Sequence, residues 1–189
     1  MWSFTRPTPD QLRRLIASQE ALGVTYTQIG VSATGTLPGY NVDANRVLVG
    51  RGPAVFSAAR EALRGWKQFP SPLTRIWPLP TPIAEGRTVA IVARAFGLWW
   101  LNTCRIVAVF DEPTRFGFAY GTLPLHVEQG EEQFLVEQHA DGGVWYTIRA
   151  VSKPHYWMVR VAYPMTRRMQ RRFARESLAA MKAIAEKIR

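Results

Sequence analysis

Helical spacing of apolar residues marks both ends of the chain. Thr8-Pro9 is typical of a helix start, since Thr caps a helix and Pro suits its first position, and Gly23 is expected to end this helix. A second helix is predicted to start at Pro53, and a third, of about 24 residues or roughly 36 Å, at Pro164. The apolar stripe of the long helix consists of Met165, Met169, Phe173, Ser177, Ala180, Met181, Ile184 and Ile188.

Between the helices the pattern changes to the alternation that is typical of strands. Turn signals at 111–113 (Asp-Glu-Pro) and 141–143 (Asp-Gly-Gly) join neighbouring strands closely, which predicts antiparallel pairs. Residues 30–40, rich in Gly and Thr, are expected to form a loop or an irregular pairing. The predicted strands are 46–50, 74–79, 88–95, 104–110, 115–120, 133–138, 144–151 and 157–162.

The order of these elements predicts an α+β fold in which an antiparallel sheet curves around the long C-terminal helix. The pattern resembles the helix-grip fold of the Bet v 1 and START-like superfamily, which commonly encloses an apolar cavity between sheet and helix. We predict one domain over residues 1–189, with a helix-grip core at 45–189 and an N-terminal helical extension at 1–44. A lid over the cavity mouth and a plain packing element are equally compatible with this extension.

Several motifs, in a fixed order, resemble those of uncharacterised protein family 0548, which is found in bacteria and plants. This resemblance implies the helix-grip fold but no reaction, because the family has no agreed catalytic residues to carry over. The motifs are Gly50-x-Gly52, Trp100-x-Asn102-x-Cys104-Arg105, Phe116-Gly-Phe-Ala-Tyr-Gly-Thr-Leu-Pro124, His126-x-Glu128-x-Gly-Glu-Glu132 and Val144-Trp-Tyr146.

The amino-acid composition excludes several classes of protein. With 47% hydrophobic and 20% charged residues, the chain is globular rather than disordered. Its single cysteine, Cys104, excludes an internal disulfide and a multi-cysteine zinc cluster. No N-terminal signal sequence is evident. The chain also has no apolar run of the roughly 20 residues that a membrane-spanning helix needs. We therefore expect a soluble, cytoplasmic protein.

Positive charge is concentrated in the long helix. Residues 165–189 contribute six of the ten net positive charges, so the basic character is local. A dense arginine face is compatible with an anionic partner such as nucleic acid or an anionic membrane, but a solvated face is the simpler interpretation. The arginines of this face are Arg167, Arg168, Arg171, Arg172 and Arg175.

The strongest chemical cluster is His126, Glu128, Glu131 and Glu132, expected in a loop before strand 133–138. One imidazole and three carboxylates suit either a divalent metal or an acid/base pair, and a solvated hairpin tip is the plain alternative. The spacing matches no established metal motif, so we predict no metal site and no cofactor. Cys104 is expected to be a buried apolar residue rather than a nucleophile. Its neighbour Arg105 is expected to pair with Glu137 or Glu128.

Three functional hypotheses follow. The leading one is a protein that binds a small apolar or lipid-like ligand between the sheet and the C-terminal helix. The second is an enzyme of the same fold that uses His126 with Glu128 or Glu132 as acid and base. The third is a basic-surface protein that docks on nucleic acid or membrane. The predicted ligand contacts are Trp100, Phe118, Tyr120, Tyr146, Met169 and Phe173.

Overall fold

The computed structural model describes residues 1–69, 74–156 and 163–186. The helices of these residues are α1 (Pro9–Gln19), α2 (Val31–Thr34), α3 (Pro53–Arg64) and α4 (Tyr163–Glu186). The strands are β1 (Trp2–Ser3), β2 (Asn41–Arg51), β3 (Thr74–Trp77), β4 (Thr88–Ala95), β5 (Leu98–Glu112), β6 (Arg115–Thr122), β7 (Glu128–Gln138) and β8 (Gly143–Pro154).

All eight strands form one curved antiparallel sheet. Its spatial order is β2-β8-β7-β6-β5-β4-β3, and the short β1 pairs with β5. Strands β4 to β8 follow one another as hairpins, with turns at both predicted sites, between β5 and β6 and between β7 and β8. The predicted α+β helix-grip fold, with a long C-terminal helix and an additional N-terminal helix, is confirmed.

The concave face of the sheet packs against α3 and α4. Alternate residues of β6, β7 and β8 point to this face, and Phe118, Phe134 and Tyr146 are fully buried there. The rings of Phe118 and Phe134 lie 5.3 Å apart. Leu63 of α3 and Met181 of α4 complete this main core. Helix α4 therefore covers the sheet with the apolar stripe that its spacing predicts.

The convex face carries α1. Leu15 and Ile16 of α1 pack against Val92 of β4 and Leu101 of β5, which alternate with the residues of the main core. Thr8 and Gln11 form a capping box at the start of α1, because each backbone N–H bonds the other side chain. Since α1 lies on the face opposite α4, it is a packing element and not a lid over the concave side.

The prediction that Arg105 pairs with Glu137 or Glu128 is wrong. Its guanidinium donates to the backbone carbonyls of Gln19, Glu20 and Leu22 at 2.7–3.0 Å. These carbonyls lie at the C-terminal end of α1, where helical partners run out and a cation is favoured.

Several strands extend beyond their predicted bounds. The predicted strand 46–50 is the longer β2, 104–110 is the longer β5, and 133–138 is β7, which starts at Glu128. The added parts are polar or rich in tryptophan, so they lack a clean alternation and are held by pairing with their neighbours. The predicted strand 157–162 lies outside the described residues.

A buried carboxylate attaches the segment after α1 to the convex face. Glu131 of β7 is 2% exposed and accepts hydrogen bonds from Tyr26 Oη (2.6 Å), the Gly30 amide (2.8 Å) and both the amide (2.9 Å) and the hydroxyl of Ser32. Gly121 makes room for Tyr26, since a Cβ there would lie 2.5 Å from the Tyr26 hydroxyl.

The predicted boundary between an N-terminal extension (residues 1–44) and a helix-grip core (residues 45–189) stays a prediction.

We predict that Glu131→Ala lowers the free energy of unfolding by about 3–5 kcal/mol, because it leaves several buried donors without an acceptor. Urea denaturation measures this change. Glu137→Ala on the same strand is the matched control. Its carboxylate is 34% exposed and lies 3.7 Å from Arg115, so we expect a loss of about 1 kcal/mol or less. Equal losses in the two variants would contradict the role given to Glu131.

Candidate functional site

A cavity of about 660 Å³ lies between the concave face of the sheet and α4. Small-molecule sites usually have roughly 300–1,000 Å³, so this volume suits a ligand. The cavity exists because the sheet presents small side chains at this end, among them Ala93 and Ala150, where the main core has aromatic rings. Its apolar wall includes Phe69, Ile91, Ala93, Trp100, Leu125, Val127, Ile148, Ala150, Met169, Phe173 and Ala174.

Large apolar residues mark the opening. Trp2, Phe96 and Met165 line the cavity and are also exposed. They come from β1, the turn between β4 and β5, and the first turn of α4. The opening therefore lies where the first turn of α4 is near β1 and the turn between β4 and β5.

The structure brings four of the six predicted ligand contacts to the cavity wall: Trp100, Tyr120, Met169 and Phe173. Phe118 and Tyr146 share the same face of the sheet but lie in the packed core with no exposed surface. The ring of Phe118 packs 4.8 Å from that of Trp66, and the Tyr146 hydroxyl lies 3.0 Å from the hydroxyl of Ser177. Those two residues face other side chains instead of open space.

Glu132 is the main polar group of the wall. It stands between Tyr120 and Ala150 in the register of β6, β7 and β8, and the Tyr120 hydroxyl donates to its Oε2 at 2.5 Å. Burial raises the pKa of Glu132 to about 7, helped by the negative charges of Glu128 and Asp43, while the Tyr120 hydrogen bond lowers it. This carboxyl therefore keeps its proton to a higher pH than an ordinary glutamate does.

Helix α4 supplies partners for two further carboxylates on the wall. Glu128 accepts hydrogen bonds from Ser152 Oγ at 2.9 Å and from Gln170 Nε2 at 2.5 Å. Burial nevertheless raises the pKa of Glu128. Both oxygens of Asp43 accept from the Arg167 guanidinium, one of them at 2.6 Å. The contacts of Gln170 and Arg167 fix the first turns of α4 against β7 and β2.

His126 lies at the same wall but is not a base near neutral pH. Its Nδ1 accepts from the Glu128 amide at 2.9 Å, which places the proton of the neutral ring on Nε2. Burial lowers the pKa of His126 to about 3. The imidazole therefore stays neutral and offers an N–H donor.

The cluster predicted from the sequence is divided by the sheet. All four residues contribute to the cavity lining, but the carboxylate of Glu131 is bound on the convex face, because neighbouring residues of a strand point to opposite faces. The expectation of a loop is wrong for the three glutamates, which lie in β7. Within residues 1–69, 74–156 and 163–186, no group of three His, Cys, Asp or Glu side chains is placed to hold a metal ion.

Cys104 and the arginine face also have defined positions. Cys104 has no exposed surface, and burial raises the pKa of its thiol well above the usual value, which argues against a nucleophile. Arg167 is not part of a free basic face, because it is bound to Asp43. The other four arginines are exposed, and Arg172 bonds Glu176 at 2.6 Å. Those four are Arg168, Arg171, Arg172 and Arg175.

Among the helices in the described part of the chain, none is long and apolar enough to cross a membrane.

Comparison with known sequences decides the family. The family model described as "Domain of unknown function (DUF1990)" matches residues 25–180. The chain belongs to this DUF1990 family. A "UPF0548 protein" from Deinococcus radiodurans is 37% identical over 186 residues, covering 93% of this chain and 94% of the relative. The resemblance to family 0548 is thereby confirmed.

Solved structures show the same fold at low sequence identity. A START superfamily protein from Mycobacterium smegmatis has a TM-score of 0.52 and is 13% identical to the DUF1990 chain. The match covers 80% of the DUF1990 chain and 100% of the Mycobacterium protein. The Zhui aromatase/cyclase from Streptomyces sp. R1128 has a TM-score of 0.53 and 15% identity, over 79% and 96% of the two chains. At such identities the likeness shows the fold alone.

The polar wall residues of this DUF1990 chain that its sequence patterns do not predict include Asp43, Ser152 and Gln170. Asp43 lies in the part of β2 outside the predicted strand, and its partner Arg167 is 124 residues away, so no local pattern could indicate the pair. Gln170 did carry a signal. It lies beside Met169 in the apolar stripe of α4, where a polar residue requires a partner.

We predict that the stability gained from Glu132→Gln increases with pH. Between about pH 4.5, the ordinary pKa, and about pH 7, the folded protein holds a proton on Glu132 that the unfolded chain has lost. Wild-type stability therefore falls as the pH rises through this window, while a glutamine does not titrate. The difference is expected to approach about 3 kcal/mol at most above pH 7.

Urea denaturation at several pH values between about 4.5 and 8 measures this effect. The same substitution at Glu137, on the outer face of β7, is the matched control. A stability difference between Glu132→Gln and wild type that is constant over this range would contradict a raised pKa for Glu132.

Proposed function

We propose that this protein binds a small apolar or lipid-like molecule in the cavity between the sheet and α4. The observation that carries the proposal is a space of about 660 Å³ with a largely apolar wall, bounded by exposed apolar residues at its opening. A protein core normally closes to near-crystalline packing, so a space of this size calls for an occupant. The fold shared with a START superfamily protein supports the proposal by analogy.

Apolar contact would provide most of the binding energy. Each CH₂ group moved from water to an apolar wall contributes about 0.8 kcal/mol, so a ten-carbon chain contributes about 8 kcal/mol before the cost of association. Met169 and Phe173 of α4 and Trp100 of β5 offer such a wall. Unbranched Met side chains adapt to several ligand shapes.

Glu132 favours a second candidate function, acid/base catalysis in the same cavity. A buried carboxyl with a pKa of about 7, hydrogen-bonded to Tyr120 and open to a cavity, is suited to transfer a proton near neutral pH. The Zhui protein, an aromatase/cyclase by name, has the same fold. Of the residues proposed from the sequence, Glu132 fits this role better than His126, whose ring stays neutral.

The molecules that co-purify with the protein distinguish the two functions. If Glu132 is a catalytic residue, Glu132→Gln is expected to retain an unreacted substrate that the wild type does not retain. Mass spectrometry of denaturing extracts compares the two proteins. The same molecule in both extracts would contradict catalysis and agree with simple binding.

Docking on an anionic surface through the arginine face has weaker support. Arg167 is engaged by Asp43, and Arg172 by Glu176, so the positive strip is smaller than the sequence indicates. Of the remaining exposed arginines, Arg168, Arg171 and Arg175, it is Arg171 that lines the cavity. We retain this contact as a property of the opening rather than as a separate function.

We predict that the protein binds N-phenyl-1-naphthylamine, a neutral apolar dye that fluoresces in apolar surroundings. Ala93→Phe adds a ring to the wall and is expected to weaken binding at least about tenfold, since it fills part of the space. Ala44→Phe, at an exposed position of β2, is the matched control and is expected to bind as the wild type does. Fluorescence titration measures both variants.

Absence of dye binding by the wild type would contradict the proposed function. Equal binding by wild type and Ala93→Phe would show that the dye binds elsewhere, and would contradict it as well. Circular dichroism and thermal denaturation of Ala93→Phe verify that the variant is folded.

A further inference from the structure

The inner wall of the cavity carries an excess of negative charge. Three carboxylates face it, those of Asp43, Glu128 and Glu132, and His126 is neutral. Among the described residues, the guanidinium in contact with them is that of Arg167, which is bound to both oxygens of Asp43. Arg171 lines the cavity only from an exposed position on α4. The N-terminal ammonium of Met1 also lies at the cavity, but it donates to the backbone carbonyls of Leu101 and Leu125. A ligand group that reaches the inner wall therefore meets Glu128 and Glu132, and no cation of the described residues is bound to either carboxylate.

Among the carboxylates that the described residues place on this wall, Glu132 is the one with an oxygen that accepts no hydrogen bond. Both oxygens of Glu128 accept hydrogen bonds, from Gln170 and Ser152. Asp43 is likewise occupied by Arg167 on both oxygens. Glu132 accepts from the Tyr120 hydroxyl through Oε2, and no side chain or amide of the described residues donates to its Oε1.

The hydroxyl of Tyr120 is engaged by Glu132 and is not a free donor for the ligand. Burial and the nearby charge of Glu132 hold the pKa of Tyr120 well above its usual value, so its hydroxyl keeps its proton and donates that proton to Glu132. The acceptor that remains, Glu132 Oε1, lies beside apolar wall residues such as Ala150.

We propose that the ligand is an apolar molecule whose polar end is a hydrogen-bond donor, an amine or a hydroxyl, which bonds Glu132 Oε1, and that the cavity discriminates against apolar carboxylates. This inference rests on the proposed function and deepens it by naming the ligand class. An amine gains from the negative wall as well as from the hydrogen bond, whereas a hydroxyl gains the hydrogen bond alone.

A carboxylate at the same place is disfavoured by two effects. It loses its hydration, and it stands beside like charges in a medium of low dielectric constant. The neutral N–H of His126 offers it one donor but no opposite charge. The inner wall thus differs from a plain apolar pocket, which would treat amines and carboxylates of equal chain length alike.

Two matched pairs of molecules, each with an unbranched ten-carbon chain, test the inference by displacement of bound N-phenyl-1-naphthylamine. Decylamine and decanoate differ in the sign of charge, and 1-decanol and decyl methyl ether differ in the presence of a donor. The titrations are made at about pH 8.5, above the pKa of about 7 that burial gives Glu132. We expect decylamine to displace the dye at a concentration at least about tenfold lower than decanoate, and 1-decanol to displace it before the ether.

Glu132→Gln tests whether this carboxyl is responsible. The amide removes the charge and keeps an acceptor, so the preference for decylamine over decanoate is expected to fall by about tenfold, while 1-decanol still precedes the ether. Glu137→Gln, the same change on the outer face of β7, is expected to leave both preferences unchanged. In the wild type and in Glu137→Gln, but not in Glu132→Gln, the preference for decylamine is expected to decrease from about pH 8.5 to about pH 6, as Glu132 gains a proton.

The two claims fail in different ways. If the dye binds, but decanoate displaces it as readily as decylamine, or Glu132→Gln keeps the wild-type preference, the inference about the ligand is overturned and the proposed function stands. If the wild type does not bind the dye, the proposed function fails and this inference fails with it.

Discussion

The alternation of side chains along β7 sends two neighbouring carboxylates to opposite faces of the sheet, and much of the structure depends on this separation. Glu131 faces outward and is surrounded by donors from Tyr26, Gly30 and Ser32, so its charge is satisfied and holds the N-terminal segment in place. Glu132 faces inward with one donor, Tyr120, and an open space beside it. The same side chain is therefore structural at one position and available for chemistry at the next.

The open space follows from the distribution of side-chain size over the concave face. Aromatic rings of β6 and β7 meet α3 and fill one end, with Phe134 at the centre of several ring contacts. Towards the other end the sheet presents Ala93 and Ala150, and α4 is held away from them by polar contacts of Arg167 and Gln170. A helix fixed by such contacts can cover a cavity without collapsing into it.

Sequence patterns predicted the face that a residue occupies better than its position along that face. The stripe of α4, the two turns and the inward direction of Tyr120 and Tyr146 followed from periodicity. Periodicity does not say where the packed core ends and the cavity begins, and so Tyr146 was placed at the wall although it lies in the core. The wider fold was accessible because a helix with one apolar stripe and a run of hairpins have few ways to pack.

The partners of polar residues were the least predictable part. Arg105 bonds the end of α1, and Arg167 bonds Asp43, each across a long stretch of chain. Such pairs depend on how strands and helices are placed in space, which no local spacing records. The neutral state of His126 likewise depends on its burial and on the amide of Glu128, and not on its neighbours in a motif.

A crystal structure of the protein grown with 1-decanol is the most direct measurement of whether the cavity is a ligand site with Glu132 at its polar end. We expect electron density for the alkyl chain beside Trp100, Met169 and Phe173, with the hydroxyl within hydrogen-bond distance of Glu132 Oε1. A cavity closed by side chains at saturating decanol, or a bound chain with its hydroxyl turned away from Glu132, would contradict this account of the site.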